Sequence, residues 1–567
     1  MEPMAEKAEQ IWRNPITKVL KVMKLEQKEI SAIYFYAILS GLVQLSLPLG
    51  IQSIISFVLG GSISTSLVIL IFLVVIGVLF NGFISVQQMK LIEKVQQQLF
   101  VRYSFEYANK IPRLDLRSVD NYYLPELVNR FFDSVSLQKG ISKLLLEIPA
   151  ASIQILFGTI LLSFYHPVFI VFSIVLIGLV ALILYFTSPR GMATSILESD
   201  YKYRVAGWLE ELARVIRSFK YSKGSSLNMK KTDELVSGYL KARTSHFKVL
   251  KLQYWTLIIF KVLITAAMLI VGSFLLINQQ LNLGQFVSAE IVILLVLNSV
   301  EKLILHLDKV YDVLTSVDKL GKVTDQPVDE DGKILFPEKD KGVMIQVQDL
   351  NFGYDGSPVL KGISFQLQPG QKAAIMGADG SGKSTLLRVV SGAYPEFSGS
   401  LLIDSIPIRN YQSDSLRAKT GIFLSAQDIF LGTILENITM GDPSISPNEV
   451  MQLSEKVGLK DFLEEQPDGF DTELDPVGKR LSRSVIQKIL LLRALVNDPR
   501  MLLLEEPWTG FEPDMARQVK EYLASPGQCT VIVATNDADF ASRCDLVLYL
   551  KDGQVQENDS WNKNKSH

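Results

Sequence analysis

Hydrophobic positions in this chain come in two patterns that change near residue 310. Before that point they form long unbroken runs, near residues 31–59, 66–86, 144–165, 168–188, 254–277 and 284–305. A helix of about 20 residues rises roughly 30 Å, the thickness of a bilayer's hydrocarbon layer, so each run predicts a membrane span. Between the second and third runs, and again between the fourth and fifth, lie long polar stretches. There "LIEKVQQQLFVRYSFEYANKI" and "YRVAGWLEELARVIRSFKYS" keep apolar residues at helical spacing. The spans are expected to continue as helices beyond the membrane and to reverse at short transverse helices, around 114–131 in the first stretch and 205–216 in the second. After an acidic, proline-containing linker, the runs shorten to strand length with polar breaks, as in "GVMIQVQDLNFGY".

Composition agrees with this split. The apolar share is 48%, high for a wholly soluble chain, and the formal net charge of −2 gives no footprint for nucleic acid. Lysine and arginine gather in the N-terminal segment (Lys7, Arg13, Lys18) and in the two long stretches (Arg102, Arg113, Arg190, Arg214), and are missing from the short connections. Positive residues stay on the cytoplasmic side, so both termini are expected in the cytoplasm, with the protein in the inner or plasma membrane. No signal peptide is legible at the N-terminus, and residues 1–30 are too few for a fused leader-cleaving peptidase. Two cysteines, Cys529 and Cys544, make neither a disulfide framework nor a zinc site and read as reduced structural thiols. Lys261 and Glu290 lie inside spans, where they line a substrate path, or Lys261 snorkels to the interface, or the two neutralise each other.

The expected organisation is residues 1–30 as a cytoplasmic segment, 31–315 as an all-α polytopic membrane domain, 316–342 as a linker, 343–556 as an α/β P-loop NTPase domain, and 557–567 as a polar tail. The NTPase reading rests on "GADGSGKSTLL", which carries G-x-x-x-x-G-K-[ST] between a predicted strand and an amphipathic helix. The glycines let backbone N–H groups approach phosphates, and the next helix directs its positive end at them. The nucleotide-holding run is Gly377, Ala378, Asp379, Gly380, Ser381, Gly382, Lys383, Ser384 and Thr385. Within it, Lys383 meets the β- and γ-phosphates and Ser384 binds Mg2+. The stretch "MLLLEEPWTG" then acquires a role: Leu502–Leu504 form a buried strand, Glu505 takes the metal position and Glu506 polarises the attacking water.

With these motifs in this order, the chain resembles an ATP-binding cassette (ABC) exporter of the half-transporter type, over nearly its whole length. The resemblance implies that Tyr354 in "FGYDG" stacks on adenine, and that Gln427 in "LSAQDIFLGTILENI" touches the metal and senses the membrane domain. It also implies coupling helices in the two long loops, and ATP and Mg2+ bound between two cassettes. Several positions depart from the family pattern. The signature Leu-Ser-Gly-Gly-Gln reads "LSRSV": Ser482 remains, but Arg483 and Ser484 replace the glycines and Val485 the glutamine. Glu505 replaces the Walker B aspartate, the D-loop reads Thr509, Gly510, Phe511, Glu512, and Asn536 stands where the family has its switch histidine. An arginine side chain either blocks the close backbone approach that glycine permits or substitutes a charge contact, and asparagine cannot carry positive charge.

These observations imply ATP-driven export by a half-transporter with slow turnover, paired with a more complete second half or with a second copy. The contrasting reading is an ATP-binding regulatory membrane subunit with little hydrolysis of its own. Spans and inner loops are also similar to haemolysin-type (type I) secretion exporters, which would bring a periplasmic adaptor and an outer-membrane channel as partners. Substrate class stays open among lipids, apolar drugs and unfolded peptides.

Overall fold

The computed structural model describes residues 15–60, 65–120, 122–329, 331–338, 342–354, 356–425, 427–474, 481–527 and 529–556. Lys7 and Arg13, the middle of the first short connection and the polar tail 557–567 lie outside these residues. The chain divides into two compact units, one built from residues up to Arg113 and from Asn121 to Gln326, the other from Leu114–Asp120 and the chain from Pro327 onward.

The first unit is all helix. Among the described residues, six helical segments are long and apolar enough to cross a membrane: Gln27–Leu59, Thr65–Arg113, Leu124–Tyr165, Val168–Arg214, Leu227–Ile277 and Leu283–Thr324. The Thr65–Lys110 helix has 46 residues, so it is about 70 Å long, more than twice the hydrocarbon thickness. Its first part is apolar and widely exposed, with Leu73, Val75 and Leu79 uncovered. Its second part buries a stripe of Gln88, Ile92, Val95, Leu99, Tyr103 and Tyr107 at three- and four-residue spacing. The first helix breaks at Leu45, ahead of Pro48, into Gln27–Gln44 and Ser46–Leu59.

The first long loop reverses where the pattern predicts, through short helices at Leu116–Val119 and Leu124–Asn129; Asp115 caps the former by accepting from Arg117 N. The second does not. Residues 205–214 continue the Val168–Arg214 helix without interruption, and the reversal falls one step later, at the short helix Ile216–Tyr221. The segment after Gly207 is Trp-Leu-Glu-Glu-Leu-Ala-Arg, mostly good helix formers, whereas the breakers cluster in Ser222–Ser226.

The pairing of Lys261 with Glu290 is also corrected. Lys261 Nζ sits 2.7 Å from Glu301. Along the Leu283–Leu305 helix, Glu301 lies about 16 Å beyond Glu290, and Lys261 meets the helix at the Glu301 level.

Among the described residues the second unit holds two large sheets and a short antiparallel pair, β7 (Gly432–Thr433) with β8 (Glu473–Leu474). Strands β1 (Ile345–Tyr354), β2 (Ser357–Leu367), β4 (Ser398–Ile403) and β5 (Ile406–Pro407) make an antiparallel sheet in the order β2-β1-β4-β5. The larger sheet has the order β12-β11-β3-β10-β9-β6. Its members are β3 (Lys372–Met376), β6 (Thr420–Phe423), β9 (Met501–Glu505), β10 (Thr530–Ala534), β11 (Leu546–Lys551) and β12 (Gln554–Gln556). Five of its strands run parallel, and β12 pairs antiparallel at the edge. Strand β9 shows why its sequence is continuously apolar: Met501 and Leu503 point into one core, Leu502 and Leu504 into the other. Both faces of the sheet are covered. Register then places Glu505 beside Ala534, and β10 beside β3, so the ends of β3, β9 and β10 open at one rim.

Candidate nucleotide site

Ligands of open α/β sheets bind outside the carboxyl ends of the strands, and the rim beyond β3, β9 and β10 is where the predicted motifs converge. Strand β3 ends at Met376 and the chain turns through Gly377–Gly382 into the helix Lys383–Val390. Gly377, Gly380 and Gly382 have φ of 144°, 78° and 105°, which L-residues rarely adopt. At Gly377 a Cβ would also stand 2.2 Å from the carbonyl oxygen of Leu550, so this position excludes any side chain. The loop curls around the lysine: Lys383 Nζ donates to the carbonyls of Gly377 at 2.6 Å and Ala378 at 3.0 Å. Ser381 is 6% exposed, and its buried Oγ has no hydrogen-bond partner among the described residues.

Glu505 links two motifs far apart in sequence. Ser384 Oγ donates to one of its oxygens, and Ser425 N donates to the other at 3.0 Å. Burial pushes the Glu505 carboxyl up, but the hydrogen bonds from Ser384 and Ser425, with the nearby Arg388 charge, outweigh it and hold the group below its ordinary value. It is therefore ionised at neutral pH, the form a metal ligand requires.

Glu506 faces the other way. Its φ is 44°, and its oxygens accept from Thr535 Oγ1 at 3.0 Å and Asn536 N at 3.1 Å. Asn536 in turn accepts the Gly377 N–H on its Oδ1 at 3.0 Å. The asparagine thus fastens the end of β10 to the first glycine of the phosphate loop, and Glu506 is held at the same joint.

Gln427 sits in the turn after β6. Its side-chain oxygen accepts from Leu424 N at 3.2 Å, folding the amide back onto its own turn; Ser425, not Gln427, makes the contact with Glu505. Tyr354, at the end of β1, packs edge-on against Phe352 at 5.0 Å and Tyr394 at 5.5 Å, in an aromatic cluster. Tyr394 OH donates to Asp120 at 3.3 Å, so the ring beside Tyr354 is tied to the Leu114–Asp120 segment. Ser482 caps the helix Arg483–Leu495, accepting from Val485 N at 3.3 Å, and Arg483 projects exposed from its first position. No hydrogen bond or ion pair joins Ser482 or Arg483 to the phosphate-loop group among the described residues.

Ser425, Thr535 and Tyr394 contact Glu505, Glu506 and Tyr354, and motif spacing does not flag them. Thr535 directly precedes Asn536 and Ser425 lies two before Gln427, so strand ends next to motif residues were the available signal. Tyr394 carries none.

The ABC transporter transmembrane region family matches residues 30–300, and the ABC transporter family matches residues 360–509. An ATP-dependent lipid A-core flippase of Coxiella burnetii is 28% identical over 48% of this chain and 47% of its own. Antigen peptide transporter 1 of Rattus norvegicus is 27% identical over 68% of this chain and 55% of its own. The chain spans about half the length of these curated relatives. The structure of a bacterial Atm1-family ABC exporter with ATP bound superposes with a TM-score of 0.84 over 94% of both chains at 18% identity, a likeness of fold. With a matched membrane region and a matched nucleotide-binding cassette in one polypeptide, the chain belongs to the ABC transporters and has the architecture of an exporter-type half-transporter.

Proposed function

We propose that this chain is one half of a dimeric exporter in the cytoplasmic membrane, its termini and cassette in the cytoplasm, in which ATP held between two cassettes drives alternating access. The observation that carries the reading is the Ser384–Glu505 hydrogen bond, which brings the phosphate loop and the acidic strand end together 121 residues apart, in a chain whose described residues also include six apolar membrane-length helices. Lys383 and the loop's backbone N–H groups take the β- and γ-phosphates. The orphan Ser381 hydroxyl fits the same anion. Ser384, Glu505 and Gln427 are the residues to hold Mg2+: two oxygen donors already face each other, and one is an ionised carboxylate. The ion supplies charge neutralisation on the phosphates.

Glu506 is the base in this proposal. Each of its oxygens accepts one hydrogen bond at the Thr535–Asn536 joint, which fixes the carboxylate's direction and leaves lone pairs for a water, but Asn536 brings no positive charge to the γ-phosphate. Turnover is accordingly slow. Ser482 and Arg483 serve the nucleotide of the opposite cassette; an arginine in place of glycine at that contact favours a partner half whose own signature is complete. Of the partners the sequence implies, this reading takes a second half-transporter.

The test is hydrolysis of Mg·ATP by the full chain in lipid. Glu506→Gln is expected to reduce turnover by about a hundredfold or more while ATP affinity stays unchanged. Turnover equal to wild type in Glu506→Gln would overturn the assignment.

A further inference from the structure

Three carboxylates lie on the apolar lengths of the membrane unit's helices, and two of them have partners. Lys261 holds Glu301 at 2.7 Å and Lys302 holds Glu147 at 3.0 Å. Glu290 makes no ion pair among the described residues, and its Oε1 is shielded from solvent with no hydrogen-bond partner among them. It sits about 10 Å along the helix from Leu283, within the apolar run, beyond the level where Lys261 is engaged.

The face it occupies is defined by its neighbours. The helix buries Ser288, Ala289, Val292, Ile293, Val296 and Leu297 against the rest of the unit. Phe286, Glu290, Leu294 and Asn298 recur at four-residue spacing along the less buried side, with Phe286 and Glu290 half-buried, Asn298 exposed and Leu294 52% exposed. Hydrocarbon offers no donor to a carboxylate and penalises its charge, so a strip holding an acid and an amide is not built to face lipid tails. A second copy of this chain supplies no answering charge: the lysines on its apolar lengths, Lys261 and Lys302, are already paired.

We propose that Glu290 is the recognition group for a lipophilic cation, and that amphipathic molecules carrying one positive charge are the class exported. The carboxylate answers the charge; Leu294 and the uncovered part of the half-buried Phe286 ring, which packs against Gly272, take the apolar body. This rests on the export reading and names its substrate class.

The test is equilibrium binding of radiolabelled tetraphenylphosphonium to the full-length protein in lipid nanodiscs without nucleotide. Wild type is expected to bind saturably, and Glu290→Gln to weaken binding by about thirtyfold or more. Glu290→Asp keeps the charge and is expected to retain part of the affinity. Tetraphenylborate, of the same shape and opposite charge, is expected not to compete. Helical circular dichroism and a melting transition equal to wild type in Glu290→Gln establish that the variant is folded; should it fail that check, the Asp variant and the borate competition decide. Equal binding by wild type and Glu290→Gln, absence of saturable binding by wild type, or competition by tetraphenylborate would each overturn the proposal. Since no turnover is involved, that failure would leave ATP-driven export standing, and loss of the ATPase result would leave this binding result legible.

Discussion

Replacing Asn536 with histidine should accelerate hydrolysis, and the geometry says how. Asn536 Oδ1 accepts the Gly377 N–H at 3.0 Å. Histidine Nδ1 occupies the position of that oxygen, one bond beyond Cγ, and must also be the acceptor there. The proton is then fixed on Nε2, which extends past the loop as a donor. A hydrogen bond to a charged group contributes about 1.5–3 kcal/mol. Gained only as charge develops on the transferring phosphoryl group, that corresponds to about 10- to 150-fold in rate. The assay is single-turnover hydrolysis of radiolabelled ATP by the full chain in lipid, for wild type and Asn536→His. Repeating it with Arg483→Gly and Ser484→Gly combined relieves any limit from the opposite signature. Asn536→Ala is the counterpart: it frees the Gly377 N–H and should weaken ATP binding by about fivefold. A rate unchanged by histidine in both backgrounds, or a gain confined to KM, would refute the reasoning.

Other expectations follow from burial and backbone geometry. Leu503 is 0% exposed, and Leu503→Ala should cost about 2–5 kcal/mol and lower the cassette's melting transition by about 4–20 °C in scanning fluorimetry, whereas exposed Leu335→Ala should hardly move it. Burial pushes the Cys529 thiol up to about 12, so its thiolate fraction at neutral pH is about a thousandfold below that of a free cysteine. Mass spectrometry should find Cys529 alkylated by iodoacetamide only after denaturation, and protection should persist as pH rises to 9, since the folded value lies far above. Gly377→Ala places a methyl group against the Leu550 carbonyl and should weaken ATP binding by at least about tenfold, with helical circular dichroism unchanged.

Much of this molecule is legible in the chain because its strongest signals are local. Six apolar runs, a glycine-rich loop between strand and helix, and a strand buried on both faces each announce themselves within a short window. What escapes is tertiary. Nothing near Asn536 shows that its oxygen would fasten Gly377, or that this joint would hold Glu506. Lys261 and Glu290 look like partners because both interrupt apolar runs, yet helix rise puts Lys261 level with Glu301. The turn of the second long loop is hard to place from sequence because residues 205–214 are as amphipathic as a transverse helix would be, and only the Ser222–Ser226 breakers mark the end. Arg500 is another case: an unremarked residue before β9, it is buried and pairs with Asp404 at 2.8 Å, tying β9 to the loop after β4.

The central claim is that the loop closed around Lys383 grips a triphosphate. Titration calorimetry of the full-length protein with Mg·ATP, run beside Lys383→Ala, tests it directly. The account predicts saturable binding heat for wild type and its loss in Lys383→Ala; no heat from wild type, or the same isotherm from both proteins, would contradict it.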